Sequence, residues 1–232
     1  ETAPAETVPA ETVPAETGPL GETAPEQTHV HDESCYEHSY ICGLQEHIHT
    51  ADCYSDLSAD VETPQIWEAT LAQIPEELTP AERVLAIAQS QLGYTESTLN
   101  FTVDAEGVRR GYTRYGEWYG NPYGDWSAMF AAFCLRYGGL TEEPINSGPE
   151  SMRLEWEAFG RFRDTGQHTP YPGDLVFLDL DANGSADAVA IVEALADGTL
   201  YVIQGDLENQ VSQAAYPALD PVIRGYGMVQ PE

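Results

Sequence analysis

Two hydrophobic periods divide the second half of the chain. Over residues 79–92 the apolar positions Val84, Leu85, Ile87, Ala88 and Leu92 recur at helical spacing. Thr79-Pro80-Ala81-Glu82 sets a capping box with proline at the first helical position ahead of them, and Gly93 closes the run. Residues 127–137 are apolar nearly all round, from Ala128 through Leu135, which predicts a helix packed on several sides and ended by Gly138-Gly139. A more polar helix is expected over 149–159, and a loop dense in Gly, Tyr and Trp over 111–126. After Gly173 the period becomes two. Runs at 174–180, 188–195, 199–204, 210–216 and 222–226 read as strands, with turns at 181–187 and 196–198. Helices followed by a strand meander predict an α+β fold, with helices packed on an antiparallel sheet of about five strands.

The first 78 residues lack such a pattern. Ala-Glu-Thr-x-Pro repeats at Ala5–Pro9, Ala10–Pro14 and Ala15–Pro19, and a proline at every fifth position blocks helix and favours extended backbone. Residues 1–28 are therefore expected to be an extended Thr/Pro/Glu spacer. Residues 29–54 hold five of the six His and three of the four Cys, in a repeat of period 18: His29-Val-His31-x3-Cys35-Tyr36 returns as His47-Ile-His49-x3-Cys53-Tyr54. So short a piece needs a staple to fold. Zinc held by Cys35, Cys42, His49 and Cys53 answers that need, with His31 as first substitute and His29 and His47 as outer or rival ligands. A disulfide, most simply Cys35 to Cys42, is the alternative. Residues 55–78 read as a second, acidic linker, so the globular domain is expected over 79–232.

Charge narrows the function. Of 232 residues 39 are acidic and nine basic, all nine being Arg, for a net charge of −30. Residues 1–82 carry 18 acidic side chains and no basic one. Such a polyanion repels phosphate backbones and anionic lipid heads, so nucleic acid is excluded as a partner. No apolar run approaches the roughly 18–20 residues of a membrane span, so no membrane insertion is expected in this segment. The chain opens at Glu1 without a secretory signal and is expected to be a piece of a longer protein. Asp179-x-Asp181-x-Asn183-Gly184-x-x-Asp187 has the first positions of a calcium loop, but Ala190 stands where a bidentate Glu is expected. Weak calcium and a tight acidic hairpin turn are the two readings. Cys134 is expected to serve packing, and His168 to be a solvated loop residue.

The block Gly111–Gly139, with Trp126-Ser127-Ala128-Met129-Phe130 at its centre, resembles the nucleophile region of CHAP domains. These are papain-like cysteine amidases and peptidases of the NlpC/P60 class that cut bacterial peptidoglycan. The run from Gly173 to Val192 resembles the strand pair that delivers their catalytic His, and Tyr201–Asp206 with Arg224–Gly227 resembles their closing strands. The likeness spans about residues 79–228. Three blocks in the same order and spacing carry it. The forepart resembles, more loosely, His/Cys repeats beside such domains on surface proteins of gut Firmicutes.

At the chemistry the likeness stops. The family's Trp-Cys-Ala-Met-Phe has Ser127 at the nucleophile position, its Asp-His-Val-Gly-Ile-Val has Ala188 at the base position, and its Glu-Gly-Asn has Gln204 and Asp206 at the orienting positions. A serine hydroxyl needs a base within hydrogen-bond reach, and a methyl group is none. The resemblance therefore implies a secreted or cell-surface bacterial module that has lost catalysis and binds a peptidoglycan fragment, a glycan or a host protein in its former cleft. It also places Tyr115, Trp118, Tyr123 and Trp126 beside that cleft, as an aromatic platform or as packing. The rival expectations are a cell-wall amidase/peptidase whose nucleophile and base are replaced in this chain, and a spacer domain of an adhesin.

Overall fold

The structure, a computed structural model, describes residues 54–230; the expectations placed on 1–53, including the Cys35, Cys42, His49, Cys53 and His31 ligand set, lie outside them. The described chain is mixed helix and antiparallel sheet, as the change of period predicts.

Helix α1 (Pro64–Leu71) precedes α2 (Pro80–Ser90). The capping box at α2 forms in full: Thr79 N–H donates to Glu82 Oε2 at 2.8 Å, and Glu82 N–H donates back to Thr79 Oγ1. Helix α2 ends at Ser90, short of the expected 92, so Leu92 falls outside its buried face and is exposed. A two-stranded ribbon, β1 (Phe101–Val103) with β2 (Arg109–Gly111), leads into the aromatic stretch expected to be loop, and a short helix α3 (Arg114–Tyr119) forms within it. Helix α4 (Ser127–Tyr137) matches its expected bounds, and every residue from Ser127 to Leu135 is buried. A helix with no polar stripe has nowhere else to go. Helix α5 (Pro149–Ala158) follows.

One sheet then closes the fold: β3 (Phe162–Asp164), β4 (Leu175–Leu178), β5 (Ala188–Ala196), β6 (Thr199–Leu207), β7 (Gln210–Pro217) and β8 (Ile223–Gly227), in the order β3-β8-β4-β5-β6-β7. Every neighbouring pair is antiparallel. The sixth strand, β3, is too short to show a period and exists by pairing with β8. The sheet is apolar on both faces. Leu175, Phe177, Val189, Ile191 and Ile203 join the α4 core. Val176, Leu178, Ala188, Ala190 and Val202 join a second cluster with Ile223 and Tyr226. Alternate residues therefore serve two cores, which explains why these strands read as nearly continuous apolar runs.

Residues 55–78 do not behave as a linker. Trp67 on α1 is 2% exposed, and its indole N–H donates to Tyr137 Oη at 2.8 Å. Ahead of it, Asp56 N–H donates to Leu99 O at 2.8 Å and Phe101 N–H donates to Ser55 Oγ at 2.9 Å. The expected boundary at 79 is corrected accordingly: the segment is part of the folded body. One Trp in an acidic stretch is the sole sequence sign of it, and one indole is enough to anchor two turns of helix.

Candidate functional site

Ser127 opens α4, where the unpaired N–H groups and the helix dipole favour a negative partner. The helix rests on β5 and β6, so its first turn meets the start of β5. Among the described residues Ser127 Oγ makes one side-chain hydrogen bond: it accepts the Val189 main-chain N–H at 3.4 Å, a long contact. Ser127 is 6% exposed. The residue beside that amide, Ala188, contributes a methyl group to the second core. No described carboxylate or imidazole bonds to the hydroxyl.

Across the sheet, Gln204 pairs with Ala190, and beyond Gln204 strand β6 is irregular in register. The Ala188 side chain joins the cluster on the sheet face away from α4. Ser127 and Asp206 both stand at the N-terminal end of α4, where the Asp206 carboxylate reaches Trp126 N–H. Gly205 makes this approach feasible: a Cβ there would lie 2.6 Å from Phe130 Cβ. Gln204 is buried, and its Oε1 has no hydrogen-bond partner. Asp206 adopts a left-handed conformation (φ 62°) that turns its carboxylate onto α4, where Oδ2 accepts Trp126 N–H at 2.9 Å. Trp126, the N-cap residue, makes no side-chain cap, and Asp206 satisfies the N-cap residue's own N–H, the bond that the N3 carboxylate makes in a capping box.

The surroundings are short of positive charge. Burial, with the neighbouring Glu96 and Asp125 charges, pushes the Asp206 carboxyl up to about 6, against the opposing pull of the Trp126 N–H and Arg110. Burial also raises Glu96, whose Oε2 accepts the Trp126 indole N–H at 3.2 Å. Arg110, the nearby cation, is committed to Asp104 at 3.0 Å and to Asp125.

The aromatic platform is corrected in its main members. Tyr115 is 0% and Trp126 1% exposed; their rings stack at 5.3 Å inside the core, with Phe130 and Phe133 against Tyr115 edge-on. A glycine-rich loop cannot cover its own polar backbone and pack without such rings, and here packing wins. Trp118 is half-buried against Phe133, and Tyr123 donates its hydroxyl to Asn100 Oδ1 at 2.8 Å. His168 is also corrected. Its ring is inside, with Nε2 2.9 Å from Asp174 Oδ2, against Tyr171 and Tyr226. Asp174 further accepts Tyr171 N–H and Val229 N–H, so the pair ties three segments together. Cys134 is wholly buried, as packing requires.

Asp179, Asp181 and Asp187 bring carboxylate oxygens within 4.8 Å of one another, a group able to hold a metal ion. Much of their capacity is spent on the turn itself. Asp179 accepts Asn183 N–H and Gly184 N–H, and Asp187 Oδ2 accepts Leu180 N–H and Asp181 N–H. Asn183 turns its amide nitrogen to Asp181 and its amide oxygen to Ser185 N–H. Ala190 is buried in β5 and supplies no ligand. The donor set fits a weakly held hard cation better than a tight one.

Glu96 and the ion pair of Glu62 with Arg114, at 2.6 Å, are site features no motif announces. The partners in that pair are separated by 52 residues, and nothing local links them. No family model matches the chain, and no curated protein matches it. The chain is similar to a solved chain, the crystal structure of Ly7917, at 13% identity and a TM-score of 0.39, over 63% of this chain. It spans 61% of the length of that chain.

Proposed function

We propose that this is a papain-like, CHAP-like domain of a secreted or surface-attached bacterial protein that no longer catalyses and instead binds a peptidoglycan fragment, a glycan or a host protein. One observation carries the reading: the Ser127 hydroxyl is answered by a main-chain N–H and, among the described residues, by no group able to take its proton. An alcohol without a base is a poor nucleophile at neutral pH, and helix-dipole assistance favours a thiolate far more than it helps an alcohol. The placing of Ser127 and Asp206 at one end of α4, with the start of β5 reached through Val189 N–H, supports descent from a working site, and the departures at 204 and 206 support natural decay.

Incubation of the chain with purified peptidoglycan, beside Ser127→Cys and the double variant Ser127→Cys/Ala188→His, tests this. Binding without turnover by the unaltered chain is expected. Release of peptide or glycan fragments by the unaltered chain refutes the reading and favours a cell-wall hydrolase. Calcium at the Asp179 turn and zinc at residues 29–54 are proposed on ligand chemistry: a millimolar calcium titration and a metal-and-thiol assay test each in turn. No helix among the described residues is long and apolar enough to cross a membrane.

A further inference from the structure

Residues 55–62 lie along the loop that follows α2 as a strap held almost wholly by polar contacts. Besides the Asp56 and Ser55 bonds, Asn100 Nδ2 donates to Leu57 O and Ala59 O, and Ser97 Oγ donates to Asp60 Oδ2 at 2.6 Å. The strap's bulky apolar side chains face outward: Leu57 is 63% and Val61 47% exposed. Trp67, just beyond it, is the apolar anchor. With its own apolar side chains turned outward, the segment gains little from buried carbon, and its opening costs chiefly these few hydrogen bonds.

At the strap's end Glu62 meets Arg114. The guanidinium carbon stands over the Tyr94 ring, 4.4 Å from its centroid, and Nη1 donates to Gln91 Oε1 at 3.0 Å. That leaves Nη2 and Nε as a side-on fork, the geometry a carboxylate fills with two parallel bonds. Glu62 fills half of it. Oε1 accepts from Nη2 at 2.6 Å, while Glu62 Oε2 and Arg114 Nε are both buried and both without a hydrogen-bond partner. The two orphaned atoms are the two that a well-seated carboxylate would join. Glu62 and Tyr94 also line an open groove of about 390 Å³ running along Gly93–Thr98, which brings a ligand to the Glu62 side of the pair, with Arg114 behind it.

We infer that Arg114 is a carboxylate receptor occupied in cis by Glu62, and that the 55–62 strap is displaced when a free carboxylate takes the full fork. The ligand class is a compact organic carboxylate such as a peptide's terminal carboxyl. The inference stands on the Glu62–Arg114 geometry and is independent of the reading of Ser127. While the strap is docked, the receptor is available only in the strap-open fraction, and apparent affinity falls by that fraction.

The probe is N-acetylglycine, with N-acetylglycinamide as the uncharged control, titrated into the 232-residue chain and followed by amide chemical shifts and hydrogen exchange. Three results are expected. The acid binds and the amide does not; the acid speeds exchange at the Asp56 and Phe101 amides; and Glu62→Gln binds the acid about tenfold more tightly, because the cis competitor is weakened. Arg114→Gln abolishes binding of the acid. Equal binding of acid and amide overturns the inference. So does unchanged or weaker binding in a Glu62→Gln chain whose amide spectrum shows it folded. If that variant does not fold, the exchange result on the unaltered chain decides alone: no acceleration at Asp56 and Phe101 at saturating acid overturns it.

Discussion

Replacing Asp206 by Asn should stabilise the protein at neutral pH and leave it unchanged in acid. The Asp206 carboxyl is pushed from 3.8 up to about 6, chiefly by burial. A carboxyl whose folded value lies above its unfolded value binds more protons folded than unfolded, so its contribution to stability falls as pH rises between those two values. The shift of about two pH units corresponds to a ceiling of about 3 kcal/mol at 1.36 kcal/mol per unit. Asp206 retains some contact with water, and screening reduces the expected effect to about 1–2 kcal/mol. Asn keeps an amide oxygen to accept the Trp126 N–H and tolerates the left-handed backbone at φ 62°. Urea unfolding of both chains between pH 4 and pH 8 provides the measurement. Other carboxyls move the opposite way, Glu82, Asp104 and Glu150 among them, so the difference between the two chains is the informative quantity. It should be near zero at pH 4, grow through pH 6 and level off by pH 7.5 in favour of the Asp206→Asn chain. A difference that is constant with pH, or one that favours the unaltered chain at pH 7.5, refutes the electrostatic account of this corner.

Ser127→Ala removes one long hydrogen bond and should cost about 0.5–1 kcal/mol by thermal or urea unfolding; a larger loss would mean the hydroxyl holds something more than Val189 N–H. Trp67→Ala should cost about 3–5 kcal/mol and be felt by the whole domain, whereas a true linker residue would cost nothing measurable. Gly205→Ala should destabilise by about 1–3 kcal/mol, since its Cβ would meet Phe130 at 2.6 Å; a neutral result would show that β6 stands farther from α4.

What the sequence makes legible follows from where each signal is stored. Helix α4 is readable to the residue because an apolar run without a polar stripe admits one placement, and α2 because its cap is written in four consecutive residues. Strands β4 to β8 announce themselves by composition and turns, while β3, three residues long, depends on pairing alone. The same distinction runs through the site. Positions 127, 188, 204 and 206 stand out because they sit inside recognisable local blocks, but their chemistry now depends on partners elsewhere: Val189, Glu96 and Trp126. Tyr115 and Trp126 mislead as platform residues because ring content says nothing about which way a ring faces. His168 misleads because the surrounding Pro and Gly suggest a solvated loop, whereas Asp174 draws the ring inward. Glu62 and Arg114 cannot be matched by any local rule.

The charge distribution sets the state of the whole corner at the α4 N-terminus. Two carboxyls, Asp206 and Glu96, are held beside the α4 N-terminus by Trp126, one through the main chain and one through the indole. The helix end supplies partial positive charge, which is why both remain there at all. Arg110 is already shared between Asp104 and Asp125 and lies toward the rim. Burial outweighs the hydrogen bonds and the pull of Arg110, and both acids are raised. The corner is thereby a poor place to develop further negative charge, which an attacking serine alkoxide would require, and a better place to receive hydrogen-bond donors. The unpartnered Gln204 Oε1 has the same polarity. The end of α4 is thus rich in acceptors, and any group that contacts it meets that polarity.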